Sequence, residues 1–196
     1  MRFIYSKYVL AIVFLSCTRK GDTTLYATIT KDSSGNIIIH HAIGPDTSSN
    51  VKPFVNIGVG RVTPFELINF ACSLDGIPYK YGSIDPKQGF DCSGFVTYVF
   101  NHFGISVPRR SVDFTFAYEN IDLKDAKPGD LILFTGTDNT IRIVGHMGIV
   151  LSNCDGEIVF IHSTSGKAYG VTETPLNTYY QERYIKTIRI FSQNNQ

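Results

Sequence analysis

An α+β fold, with helix gathered in the first half of the domain and strand in the second, is what this 196-residue sequence predicts. Three observations carry the expectation. Thr63 and Glu66 stand at capping-box spacing with Pro64 in the first helical position, so a helix starts there. Asp91 precedes Phe95, Val96, Val99, Phe100 and Phe103, which are spaced for a helix with one wide buried face. Beyond Gly129 the period changes, and Leu131–Phe134, Val144–Leu151 and Glu157–His162 read as strands separated by turn-forming stretches.

Composition bounds the rest. The chain is 43% hydrophobic and 18% charged, enough apolar surface for a sizeable core and too much for disorder. At about 150 residues per domain, one domain and a remainder are expected. Eighteen Lys and Arg against seventeen Asp and Glu leave a formal charge of +1, which argues against nucleic acid as a partner. Four cysteines are too few for a disulfide scaffold of this size, and no C-x-x-C pair suggests zinc.

The remainder lies at the start. Residues 1–16 read as a signal peptide: Arg2 and Lys7 supply positive charge, and the apolar run from Tyr8 to Ser16 follows. That run is far shorter than the ~20 residues a spanning helix needs. Phe14-Leu15-Ser16-Cys17 resembles a bacterial lipoprotein box, although Leu is more usual where Phe14 stands. Cys17 is therefore the expected lipidation site, with cleavage by an ordinary signal peptidase as the other outcome. A lipid on Cys17 would hold the protein on a membrane without spanning it, in the cell envelope facing the periplasm or wall. Loss of Arg2 and Lys7 with the leader would take the formal charge from +1 to −1.

Residues 17–62 are expected to form a tether and a short hairpin-bearing lead. Leu25–Thr30 and Asn36–His41 are β-rich runs around Lys31-Asp-Ser-Ser-Gly35. His40 and His41 have no carboxylate or Cys at ligand spacing, so no metal site is expected. Residues 63–192 form the main domain, and 193–196 a polar tail. In the first helix Leu67, Ile68, Phe70, Ala71 and Leu74 make the apolar stripe, Cys72 packs in the core, and Gly76 and Pro78 end the element. Arg109 and Arg110 fall in a solvated loop. Thr172–Tyr180 reads as a further loop with both tyrosines near the surface, and Arg183–Ile190 as a closing strand.

The chemistry centres on Cys92. Asp91 is a strong N-cap, which puts Cys92 in the first turn of its helix and on the buried face. A helix N-terminus favours thiolate over thiol, a setting that suits a nucleophile. A buried inert Cys would explain Cys92 by itself, but two histidines follow on strands. His146 shares a strand face with Gly148 and Val150, and His162 with Ile158 and Phe160. In a hairpin with an odd-numbered loop centred on Cys154 the two rings would lie side by side on one face; an even loop would put them on opposite faces. A Cys at a helix start, a His on a strand and a polar group beside that His are the parts of a thiol hydrolase.

These segments resemble a known family. Asp91-Cys-Ser-Gly-Phe-Val96, Gly145-His-Met-Gly-Ile-Val150 and Phe160-Ile-His-Ser163 are similar to the catalytic blocks of the NlpC/p60 cell-wall cysteine peptidases. Pro78–Gly82, Ile105–Ser111 and Lys127–Leu131 are similar to further blocks, so the resemblance covers about Pro64 to Ile190. It implies a papain-like α+β fold, with the Cys helix packed on an antiparallel sheet that carries both histidines. It implies hydrolysis of peptidoglycan stem peptides, usually between D-γ-glutamate and meso-diaminopimelate or lysine. By motif position Cys92 would be the nucleophile, His146 the base and His162 the orienting residue. Tyr79 would sit beside the nucleophile and help the oxyanion site, and Asp91 and Ser93 would position substrate. No metal, cofactor or nucleic acid is required, and a monomer is expected. Other products of the same triad stay open: an N-acetylmuramoyl-L-alanine amidase, another papain-like thiol hydrolase or acyltransferase, and, from a different class, a non-catalytic wall-binding module. No SH3-like wall-binding module is legible.

Overall fold

The computed structural model describes residues 25–31, 37–43 and 59–195. The expected signal peptide and Cys17 lie outside the described residues. The chain divides into two compact units, Met1–Pro53 and Phe54–Gln196.

In the first unit β1 (Leu25–Lys31) pairs antiparallel with β2 (Ile37–Ile43), Leu25 opposite Ile43 and Lys31 opposite Ile37. Both strands reach past the expected runs.

The second unit begins with α1 (Pro64–Cys72). Thr63 accepts from the Glu66 backbone N–H, and Glu66 accepts from the Thr63 N–H, so two orphan donors of the first turn are satisfied together. Leu67, Ala71 and Leu74 are buried, as the stripe requires. A small hairpin of β3 (Ile84–Asp85) and β4 (Gly89–Phe90) then delivers the chain to α2 (Cys92–His102). Phe95, Val96, Val99 and Phe100 of α2 are fully buried, worth about 1.5–3 kcal/mol each in apolar burial.

A six-stranded antiparallel sheet follows: β5 (Glu119–Ile121), β6 (Leu131–Thr135), β7 (Val144–Cys154), β8 (Glu157–Thr164), β9 (Gly170–Pro175) and, after α3 (Thr178–Arg183), β10 (Tyr184–Arg189). The spatial order is β5-β10-β6-β7-β8-β9. Alternation along β6 builds two cores. Leu131 and Leu133 join Met147, Ile149 and Ile161 beneath α2, while Ile132 and Phe134 join Val150, Phe160 and Tyr180 on the other face. Arg189 of β10 forms a buried ion pair with Asp130 at the start of β6, 3.0 Å apart.

One expectation needs correction here. Thr172–Tyr180 is not a loop: it holds most of β9 and the start of α3. Tyr179 is exposed as expected, but Tyr180 is buried. The helix has only six residues, capped by Asn177, which is too short to print a period in the sequence. The β7–β8 turn, for which the sequence leaves odd and even lengths open, is even-numbered. Cys154 pairs with Glu157, leaving a two-residue turn at Asp155-Gly156, and both turn residues have positive φ, 53° and 91°, as a tight hairpin of this twist demands.

Candidate active site

The even turn would by itself place His146 and His162 on opposite faces. A β-bulge between Val150 and Ser152 absorbs Leu151 and changes the register, so that Ser152 pairs with Val159 but Val150 with Phe160. Continuing that register puts Gly148 opposite His162, and His146 one diagonal step further along the same face. His146 Nε2 then lies 2.7 Å from His162 Nδ1. Gly148 permits the approach: a Cβ there would stand 2.7 Å from a Phe160 ring carbon and 3.1 Å from the His162 Cβ.

The hydrogen-bond chain continues. His162 Nε2 is 3.0 Å from Thr174 Oγ1 on β9. One arrangement serves a base: His146 donates from Nε2 to His162 Nδ1, His162 donates from Nε2 to Thr174, and His146 Nδ1 keeps a lone pair with no protein partner among the described residues. His162 is fully buried and His146 partly so. Tyr180 covers both rings, with centroids 6.1 Å and 5.4 Å away. Burial, with Arg183 nearby, holds His162 at about 3. Burial, then His162 and Arg183, push His146 well below its ordinary value. Both rings are neutral at physiological pH.

Asp91 caps α2 by accepting from the Gly94 N–H, which leaves Cys92 in the first turn. Gly94 is required at that spot, because a Cβ would meet Ser83 O at 2.1 Å. Cys92 Sγ lies 3.9 Å from Gly145 O, the carbonyl just before His146. The backbone N–H groups of Cys92, Ser93 and Met147 point at the sulfur and favour its charged form. They do not win. Burial, then the Asp91 carboxylate, push the thiol up to about 11. A helix end contributes about 0.3–1 kcal/mol, less than one pKa unit, so the expected preference for thiolate is reversed in the unliganded site. No hydrogen bond joins Cys92 to His146 in this state. Catalytic hydrogen bonds are often long without substrate and tighten when it binds.

Cys92 and His146 line one open cavity of about 950 Å³, with Tyr79, Thr174, Tyr180 and Arg183 also on its walls. Burial, followed by Cys92 and Asp91, raises the Tyr79 hydroxyl, so it stands within electrostatic reach of the sulfur. Asp91 and Ser93 are buried beside Cys92 and are engaged by Arg109. Its two terminal nitrogens reach the two Asp91 oxygens at 3.0 and 2.8 Å, and one of them also reaches Ser93 Oγ at 3.0 Å. Arg109 is therefore not a loose cation of a solvated loop. Arg110 pairs with Asp113.

Thr174, Tyr180 and Arg183 were hidden in the stretch read as loop and strand start. A Tyr-Tyr-x-x-Arg spacing after an Asn cap is the signal that was available. Among the described residues no group of three His, Cys, Asp or Glu side chains is arranged to hold a metal ion, and no helix is long and apolar enough to cross a membrane.

Comparison with known proteins places the chain in a family. Residues 76–189 match the NlpC/P60 family. The chain is 31% identical over 145 residues to the "Gamma-DL-glutamyl hydrolase" of Bacillus subtilis, covering 72% of this chain and 32% of that protein. It is 33% identical over 121 residues to the "Probable endopeptidase NlpC" of Escherichia coli, covering 60% and 72%. A crystal structure from Staphylococcus aureus, described as similar to lipoprotein of the NLP/P60 family, superposes with a TM-score of 0.57 at 29% identity, covering 74% of this chain and 45% of that one. The chain thus spans about a third of the Bacillus relative and under half of the Staphylococcus one, and its helix and antiparallel sheet share their papain-like fold.

Proposed function

The chain belongs to the NlpC/P60 family, and from that premise we propose that it is a peptidoglycan hydrolase, a thiol endopeptidase that cuts stem peptides between D-γ-glutamate and meso-diaminopimelate or lysine. The observation that carries the reading is the His146–His162–Thr174 hydrogen-bond chain, which shares a cavity with a cysteine in the first turn of a capped helix. The glutamyl-hydrolase name of the Bacillus relative supports the choice of bond.

In this mechanism substrate fills the cavity and brings Cys92 and His146 together. The Cys92 proton passes to His146 Nδ1, and the sulfur attacks the scissile carbonyl carbon. His162 accepts from His146 Nε2 throughout, which fixes the ring and stabilises its charged form. The N–H of Cys92 and the Tyr79 hydroxyl donate to the developing oxyanion. The carbon–nitrogen bond breaks, His146 returns its proton to the leaving amine, and a thioester to Cys92 remains. Water, deprotonated by His146, then attacks the thioester carbon; the carbon–sulfur bond breaks, the acid leaves, and His146 returns the proton to the Cys92 sulfur. Asp91 and Ser93 hold the helix start in place with Arg109.

Digestion of purified sacculi with identification of the new termini by mass spectrometry tests the bond. A new diaminopimelate or lysine amine is expected; new L-alanine amines would assign the N-acetylmuramoyl-L-alanine amidase reading instead. The same proposal makes residues 1–16 a signal peptide, Cys17 the lipid site, 17–62 a lead and 63–192 the catalytic domain of an envelope monomer. Labelling with radioactive palmitate should mark the wild type and not Cys17→Ala; equal labelling would remove the anchor.

A further inference from the structure

The charge lining the cavity is one-sided. Arg183 and Lys167 are its two cationic side chains, and no carboxylate is among its lining residues. Two acids beside the lining residues are turned away or already engaged. Glu173, between the lining Thr172 and Thr174, faces the opposite side toward Cys72. Asp91 is held by Arg109. Arg183 is only 6% exposed. Its Nε and Nη2 donate to Gly136 O and Thr135 O, each at 2.9 Å. Its guanidinium lies over Tyr179 and Tyr180, 4.7 and 5.6 Å from the ring centroids. Among the described residues Nη1 has no protein partner, so a rigidly held cation keeps donors unused on the wall of the site. Lys167, exposed on the loop between β8 and β9, also lines the cavity and has no ion-pair partner among the described residues.

We propose that Arg183 and Lys167 bind a carboxylate of the substrate beside the scissile bond, and that the cleft selects stem peptides whose glutamyl α-carboxylate is free over those in which it is amidated. This rests on the function proposed above. A fixed guanidinium and a mobile ammonium suit an anion: the first sets its position, and the second raises affinity and on-rate. The same carboxylate would offset the positive field of Arg183 on His146, so that substrate itself makes the base more basic.

The test is binding to Cys92→Ala, which separates recognition from cutting. The probes are N-acetyl-L-Ala-γ-D-Glu-L-Lys with a free glutamyl carboxylate and the same peptide carrying the amide there. Calorimetry should show the free form bound about tenfold more tightly, a difference that shrinks in high salt. Lys167→Met on that background should cut the preference to about threefold or less, without changing affinity for the amide, and Lys167→Arg should restore it. Equal affinity for the two peptides, binding of neither, or a parallel loss for both in Lys167→Met would overturn the proposal. Turnover by the wild type reports separately on the function. Selective binding with cleavage elsewhere rejects the bond and keeps the carboxylate site, whereas equal binding and cutting of both peptides rejects the site and keeps the bond.

Discussion

His146 Nε2 and His162 Nδ1 meet at 2.7 Å across two neighbouring strands, although the residues are not directly opposed in the sheet. The meeting depends on three local features that have nothing to do with imidazole chemistry. A two-residue turn sets the hairpin, Leu151 is absorbed in a bulge, and Gly148 leaves room for the His162 side chain. Position in the ladder, rather than sequence spacing alone, decides that the two rings share one face of the sheet.

Removing the partner should therefore cost catalysis more than folding. His162→Ala leaves the His146 Nε2–H without its acceptor, and kcat should fall by about 10²–10⁴-fold with KM little changed. His162→Gln, which keeps an acceptor, should recover part of that loss. Steady-state kinetics on one peptide substrate checks both; equal activity in all three proteins would remove His162 from the mechanism.

Gly148→Ala should act through the same contact. The new methyl would fall 2.8 Å from Ile161 O as well as against Phe160, so either the strand or the His162 side chain must move. A loss of about 1–3 kcal/mol in urea unfolding is expected, together with a fall in kcat. Wild-type stability would show that the hairpin relaxes freely.

Stability should fall in acid. The folded protein holds His162 at about 3, whereas an unfolded histidine titrates near 6.5, so the unfolded chain binds more protons between those values. Below about pH 6.5 each buried neutral ring then costs about 1.4 kcal/mol per pH unit, and His146 adds in the same direction. Above pH 6.5 neither contributes a slope. Unfolding midpoints between pH 8 and pH 4.5 should bend downward near 6.5, and His162→Gln should flatten the bend.

The free thiol should be slow to alkylate. With Cys92 pushed up to about 11 by burial and Asp91, little thiolate exists at neutral pH in the unliganded site. Inactivation by iodoacetamide should climb steadily from pH 7 toward pH 11. A plateau already present at pH 6 would mean a preformed thiolate–imidazolium pair.

The first helix, the Cys helix and the central strands were legible because caps and long apolar periods print themselves in the residues. Thr63, Glu66 and Asp91 cap where their spacing requires. The bulge at Leu151 left no mark, since Val150-Leu-Ser152 continues an ordinary strand pattern. Nor did the α3 wall, because six residues are too few to show a period and Tyr180 becomes buried only when α3 folds back onto β6. The basicity of Cys92 also escaped: the helix end is visible in sequence, but the burial that outweighs it belongs to the tertiary structure. Arg109 could be named but not paired, because Asp91 lies eighteen residues away.

Cys92→Ala compared with wild type on a γ-D-Glu-diaminopimelate peptide tests the central claim most directly. Release of the diaminopimelate amine is expected from the wild type and none above the uncatalysed background from the variant, with the variant's unfolding free energy within about 1 kcal/mol of the wild type's. Equal release by the two proteins would contradict it.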